Sequence, residues 1–279
     1  MIRREITSPD GTKLWLLISQ VEHARVSGEL TRNWHEEFTE DVIEAVTHHD
    51  DGWAAWETEP KLNPEIGAPF SFLEMPLPAA LVIWDHSIAA VARFGPLASY
   101  MVAGHFYKLL SESEQANKPL AAAWLAAKRK QRTAWLDQWV RADSSHTLEY
   151  AKRAQHMLLV ADLFSLWLCC DAPVAAGQES ILRQSAMKLR TDTLLNQYDF
   201  AVPEFKTHQR PDGNRIGRLT WSVAARPYPC KTAPLELSAQ SLAAPAKRYA
   251  SWDEFKAASW PLTLEWRLVE GTSPAGPAA

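Results

Sequence analysis

The sequence predicts a mainly α fold: a helical bundle carrying a small antiparallel β appendage made from an N-terminal hairpin and C-terminal strands. Three observations lead there. Between residues 20 and 199, apolar side chains recur at helical spacing, punctuated by Gly and Pro. After residue 200 the period shifts to two, in LTWSVAA, LELSAQ and LTLEWRLV, which is the pattern of half-buried strands. At the start, Ser8-Pro9-Asp10-Gly11 is turn chemistry between IRREI and KLWLLIS. The expected organisation is a hairpin at 1–19, a helical domain at 20–199, a β-rich segment at 200–271 and a disordered tail at 272–279.

Taken in order, Ser19 and Glu22 make an S-x-x-E capping signal for a helix from about Gln20 to His35. His23, Ser27, Leu30 and Trp34 share one face of it. A second helix starts near Thr39 and is expected to end at Gly52. Residues 57–80 interleave prolines with apolar side chains and predict an ordered loop. Helices at about 79–93 and 96–110 are separated by Gly95-Pro96, and a long amphipathic helix follows at 112–140. The helix at 147–170 is apolar almost all round in its second half and should be central; a shorter one is expected at 179–198. Ser251 and Glu254 cap a last short helix in SWDEFKAA. The C-terminal strands and the N-terminal hairpin are expected to meet in one small sheet.

Hydrophobic residues make up 47% of the 279, enough for a sizeable core. A net charge of -4 gives no pull toward nucleic acid or anionic membrane. The basic run Lys128-Arg129-Lys130-Arg132 reads as a solvated helix face. Three cysteines, without a C-x-x-C pair, argue against a disulfide framework. The first residues lack an apolar signal core, and HMLLVADLFSLWLCC is too short to span a membrane. A cytoplasmic protein without membrane or nucleic-acid partners is expected, with homo-oligomerisation left open.

The chemistry-bearing residues are His23, His49, Asp50, His86, His105 and Asp162, each on or at the end of a predicted helix beside apolar neighbours. His86 and His105 read equally as hydrogen-bonded core histidines. Asp162 is harder to place, because an ionised carboxylate inside LLVADLFSLWL needs a cation, strong donors or water. Either a metal or an Arg or Lys partner would serve. Imidazole nitrogen and carboxylate oxygen together suit a divalent Fe, Mn, Zn, Co or Ni ion, one or two of them. Trp53 and Trp56 are candidate pocket-lining, substrate-binding residues.

The order H…HD…H…H…D, with AVTHHDDGW, His86-Ser87, PLASYMVAGHF and VADLFSLWL, resembles the HD superfamily of metal-dependent phosphohydrolases. The register of the H-D-x-G turn selects His49 rather than His48. The whole chain further looks like an uncharacterised bacterial family of unknown function with an HD-like domain. The resemblance implies that His23, His49, Asp50 and Asp162 bind one metal, and that Asp50 bridges to a second held by His86 and His105. It also implies that metal-activated water attacks a phosphoester. Trp53 stands where that family often has lysine, and Asp51 where it has an aliphatic residue; Asp51 is the catalytic candidate, read as a general base, a group supporting the ligands or a solvated side chain. The implied function is a metal-dependent hydrolase of a small anionic phosphoester or nucleotide-like substrate. The alternatives are an HD-type di-iron oxygenase or a non-catalytic metal- or ligand-binding module.

Overall fold

A computed structural model describes residues 1–8, 10–172, 198–211 and 215–271. In chain order, β1 (Ile2–Thr7) and β2 (Lys13–Ile18) form the expected hairpin, in register from Ile2↔Ile18 to Thr7↔Lys13. Helix α1 (Gln20–Asn33) follows, with the Ser19 hydroxyl accepting from the Glu22 backbone N–H, and then α2 (Glu40–Thr47). A 3₁₀ turn (Asp51–Trp53) leads into α3 (Ala54–Thr58) and the two-residue strands β3 (Leu62–Asn63) and β4 (Ala68–Pro69). The bundle continues with α4 (Leu77–Val91), α5 (Pro96–Ser111), α6 (Pro119–Ala142) and α7 (Leu148–Leu166). Helix α7 runs on into a wider π turn, Trp167–Asp171. Strands β5 (Asp199–Gln209), β6 (Ile216–Arg226) and β7 (Leu235–Pro245), helix α8 (Trp252–Ala258) and strand β8 (Trp260–Glu270) complete the chain. The helix expected at 179–198 falls, up to residue 197, outside the described residues, as does the 272–279 tail.

The expectation of a mainly α, HD-like bundle with a small β appendage is corrected here. Six strands form one curled sheet in the order β1-β2-β7-β8-β6-β5, a major layer of the protein. The hairpin does pair with the C-terminal strands: β2 runs antiparallel to β7, from Leu14↔Pro245 to Ile18↔Ser241. The sheet is large because four of its strands are eleven residues long; β6, β7 and β8 each bury one face, and β5 packs Phe200, Val202 and Phe205 half-buried against the core. In β7, Leu235, Leu237, Ala239 and Ala243 are buried, while Glu236, Ser238 and Gln240 are exposed. The parallel β6–β8 pair sets Trp221 opposite Trp266, and their rings stack at 5.6 Å between centroids. This inner face and helices α1, α5 and α7 contribute to the same hydrophobic core.

Two tethers lock sheet to bundle. Arg4, 3% exposed on β1, donates to the carbonyls of Cys169 (3.3 Å) and Ala172 (2.5 Å). A cation on the free carbonyls of a helix end is favourable, although burial pulls the Arg4 guanidinium down to about 10. Arg3 makes a bidentate pair with Glu74 (2.6 and 2.9 Å), fastening the proline-rich loop under β1. Lys128 departs from the solvated face expected for its run: it is 8% exposed and pairs with Asp85 at 2.8 Å. The three cysteines are buried and free. The segment Leu77–Phe94 is long and apolar enough, by length and composition alone, to cross a membrane; a third of it is buried, and Leu81, Ile88 and Val91 join the main core.

Candidate metal centre

The site forms where three elements converge. Helix α1 presents His23, 0% exposed, on the face it buries against α7. Helix α7 presents Asp162, 4% exposed, in the middle of its apolar stretch. The third contribution comes from the turn after α2. That helix stops at Thr47 with His48 as its cap, not at Gly52 as the sequence suggested. Gly52 serves a different need. A Cβ there would lie 2.1 Å from the Ile83 carbonyl and 2.5 Å from the Ser87 nitrogen, so only glycine lets the 3₁₀ turn press onto α4. Its N–H is taken up by the Ser87 hydroxyl at 3.0 Å. The turn so fixed points His49 and Asp50 inward.

His23 Nε2 lies 3.0 Å and His49 Nε2 3.3 Å from the same oxygen, Asp162 Oδ1. Ligand atoms of the three residues all lie within 4.8 Å of one another, so this buried His-His-Asp group could hold a metal. Two ligands ~2.1 Å from an ion at the tetrahedral angle stand about 3.4 Å apart, which these separations match. Asp50 Oδ2 is 3.8 Å from His49 Nε2, the one ion pair this 5%-exposed carboxylate makes among the described residues. His105, 2% exposed on α5, sets its ring 5.4 Å from that of His49.

The hydrogen bonds around the imidazoles decide which nitrogen faces the centre. His49 Nδ1 is 2.7 Å from the Val46 carbonyl, which can only accept, so Nδ1 carries hydrogen. Neutral His49 therefore aims a bare Nε2 lone pair at Asp162, and Nε2 has no hydrogen-bond partner. Two facing acceptors need a cation between them, either a proton or a metal ion. His23 Nδ1 meets Ser165 Oγ at 2.6 Å, and Ser165 Oγ also meets Ser27 Oγ (2.7 Å) and donates to the Asp162 carbonyl (3.1 Å). With the Ser165 proton on that carbonyl, its oxygen accepts from His23 Nδ1–H and leaves Nε2 free to ligate. Metal-ligating histidines are commonly oriented by such outer hydrogen bonds.

Charge reinforces the geometry. Burial alone would raise the Asp162 carboxyl, but the charge of His105 and the adjoining imidazoles of His23 and His49 hold it well below the usual range. Burial pushes the Asp50 carboxyl up despite His49 and His23. For His49, burial is outweighed by Asp50 and Asp162, which carry the metal-free imidazole up to about 9. No Arg or Lys pairs with Asp162 among the described residues, so the basic partner left open by the sequence is not what neutralises it.

The other expected site residues lie elsewhere. His86 is exposed on α4, outside the cluster. Asp51 faces outward, 2.9 Å from His48 Nδ1 and 3.5 Å from Arg93. Trp53 is 3% exposed and packed; Trp56 is half-buried, and its indole nitrogen is buried without a hydrogen-bond partner. Ser27 and Ser165 were not singled out as site residues. Each is a short polar residue within an apolar helix face, at i+4 from His23 and i+3 from Asp162, and that spacing is the signal that could have found them.

A family model described as "Protein of unknown function (DUF3891)" matches residues 1–240, and the chain belongs to that family. No curated protein and no solved structure matches the chain. These findings correct the HD resemblance: the matching family is DUF3891, nothing points to an HD domain, and a large curled sheet is not typical of an HD helical domain. The expected uncharacterised family stands in its coarser form, as a family of unknown function.

Proposed function

We propose that this DUF3891 member is a metal-dependent hydrolase of a small phosphoester, with His23, His49, Asp50 and Asp162 holding one divalent transition-metal ion. One observation carries the reading: His49 Nε2 and His23 Nε2 converge on Asp162 Oδ1 at 3.3 and 3.0 Å in a buried group, with both imidazoles oriented from behind. Two nitrogens and carboxylate oxygens suit Fe, Mn, Zn, Co or Ni. Bound there, the ion would supply Lewis acidity and a water acidified to near neutral pH. The chain's own residues do the rest. Val46 and Ser165 fix the imidazole tautomers, Asp162 balances charge, and buried Asp50, 3.8 Å from His49 Nε2, would add a second carboxylate to the ion. The exposure of His86, half of the expected second ligand pair, favours one ion over two.

The test is a phosphoester panel run on protein as purified, after chelation, and after re-addition of each metal. Hydrolysis that disappears with the chelator and returns with one metal supports the proposal. Full activity in the chelated protein, or no turnover of any panel member by a metal-loaded one, contradicts it. His86→Ala should leave both metal content and turnover unchanged.

A further inference from the structure

Beside the centre lies a second set of polar atoms that the protein itself does not satisfy. Glu57 on α3 has a side chain only 7% exposed. Its Oε1 accepts from the Gln20 backbone N–H at 2.7 Å and pairs with the Met1 amino nitrogen at 3.2 Å. Its Oε2 is buried and has no partner. Gln20, 4% exposed, leaves Oε1 equally without a partner, and the indole N–H of neighbouring Trp56 is in the same condition. Buried polar groups are nearly always paired, and each one left unmet costs folding free energy. Gln20 and Glu57 are in contact, and Trp56 precedes Glu57 in the chain, so the three unmet atoms belong to one small region.

Their position ties them to the metal centre. Gln20 opens α1 one turn before His23, on the same buried face, and Glu57 follows the turn that carries His49 and Asp50. The charge of Asp50 is felt at both Glu57 and the Met1 amino nitrogen. Two of the three unmet atoms are acceptors, one of them a carboxylate oxygen, so the complementary group is a donor with several N–H bonds. We infer that Gln20, Trp56 and Glu57 form a substrate-recognition subsite for an N–H-donating cationic head, such as a primary ammonium, attached to the group that reaches the metal. Gln20 Oε1 and Glu57 Oε2 accept from that head, and the Trp56 indole N–H donates to an oxygen of the same ligand. The inference rests on the hydrolase reading only for the phosphate end of its probes.

Calorimetric titration of the full chain with 2-aminoethyl phosphate, its N-trimethyl analogue and ethyl phosphate tests it. The aminoethyl compound should bind at least ~10-fold more tightly than the other two, since charge-assisted hydrogen bonds discriminate on that scale. Glu57→Gln should erase the preference without altering metal content. The trimethyl analogue, which keeps the charge and lacks N–H, makes the same comparison in the unmutated protein if that variant does not fold. Equal binding of all three, or of the amino and trimethyl compounds, overturns the subsite. Ethanolamine alone separates the two readings: if it binds to chelated protein and the protein never holds metal, the subsite stands and the hydrolase reading fails. If metal and turnover are present but no N–H preference is, the reverse holds.

Discussion

The tetrad His48-His49-Asp50-Asp51 splits into two pairs with opposite fates. His49 and Asp50 turn inward, at 0% and 5% exposure. His48 and Asp51 turn outward, where His48 bridges Glu44 (3.3 Å) and Asp51 (2.9 Å) and stacks on Phe94 at 5.3 Å. The two pairs have the same composition, but only the inner one poses an electrostatic problem. In water an ion pair is worth about 0–1 kcal/mol and each partner is tolerated alone. Inside, an unpaired charge costs several kcal/mol, and two lone pairs facing each other need a cation. Residue type therefore says little here; the α2 terminus and the Gly52 turn decide which His-Asp pair is buried.

The largest effect that would sharpen this contrast is at Asp162. Asp162→Ala leaves His23 and His49 without their shared acceptor and should destabilise the fold by about 3–5 kcal/mol, read by denaturant unfolding. A loss below about 1 kcal/mol would place the inner pair in the same class as the outer one.

The pH response comes next. In metal-free protein, folding raises His49 from its ordinary 6.5 to about 9, so the folded state binds its proton more tightly than the unfolded one. That contribution, about 3 kcal/mol at most, is fully present below pH ~6.5 and is lost as pH rises to ~9. Asp162, held low, acts in the opposite sense: its contribution is present above its ordinary value and fades as pH falls. Metal-loaded protein should instead stay stable as pH rises toward 9, because metal and proton compete for the same Nε2. Unfolding midpoints against pH, with and without chelator, read the difference; identical curves would contradict it.

Ser165→Ala removes the group behind His23 Nδ1 and should weaken metal binding by ~10–100-fold while the chain stays folded. Unchanged affinity in a competition titration would make Ser165 mere packing. Smallest of all, His48→Ala or Asp51→Asn should shift stability by less than about 1 kcal/mol and leave metal content and turnover intact. Lost turnover in Asp51→Asn would instead make the outer carboxylate the general base.

Much of this could be read from the residues. The helices of the bundle, the Ser19 and Ser251 caps and the pairing of the chain's two ends follow from local patterns. So does the need of Asp162 for partners inside an apolar helix, which His23 and His49 meet at 3.0 and 3.3 Å. The extent of the sheet was not legible, because a strand's alternation says which face is buried and nothing about how many neighbours it pairs with. Arg4 carries no local signal in the sequence, because its task at the end of α7 depends on a contact 165 positions away. His86 fits an ordered motif by spacing alone, yet the rotation of α4 turns it to solvent while Ser87 faces the Gly52 turn. Glu57 and Gln20 gave no signal, since their isolation is visible only once the surrounding atoms are placed.

The central claim is that the cation between His49 and Asp162 is a metal ion. Elemental analysis of the protein purified without added metal, alongside His49→Ala, tests it most directly. Close to one equivalent of a single divalent transition metal is expected in the unmodified chain and a trace in the variant. A folded, unmodified chain holding no stoichiometric metal, or a variant holding as much as its parent, would contradict it and leave a proton as the ion at the centre.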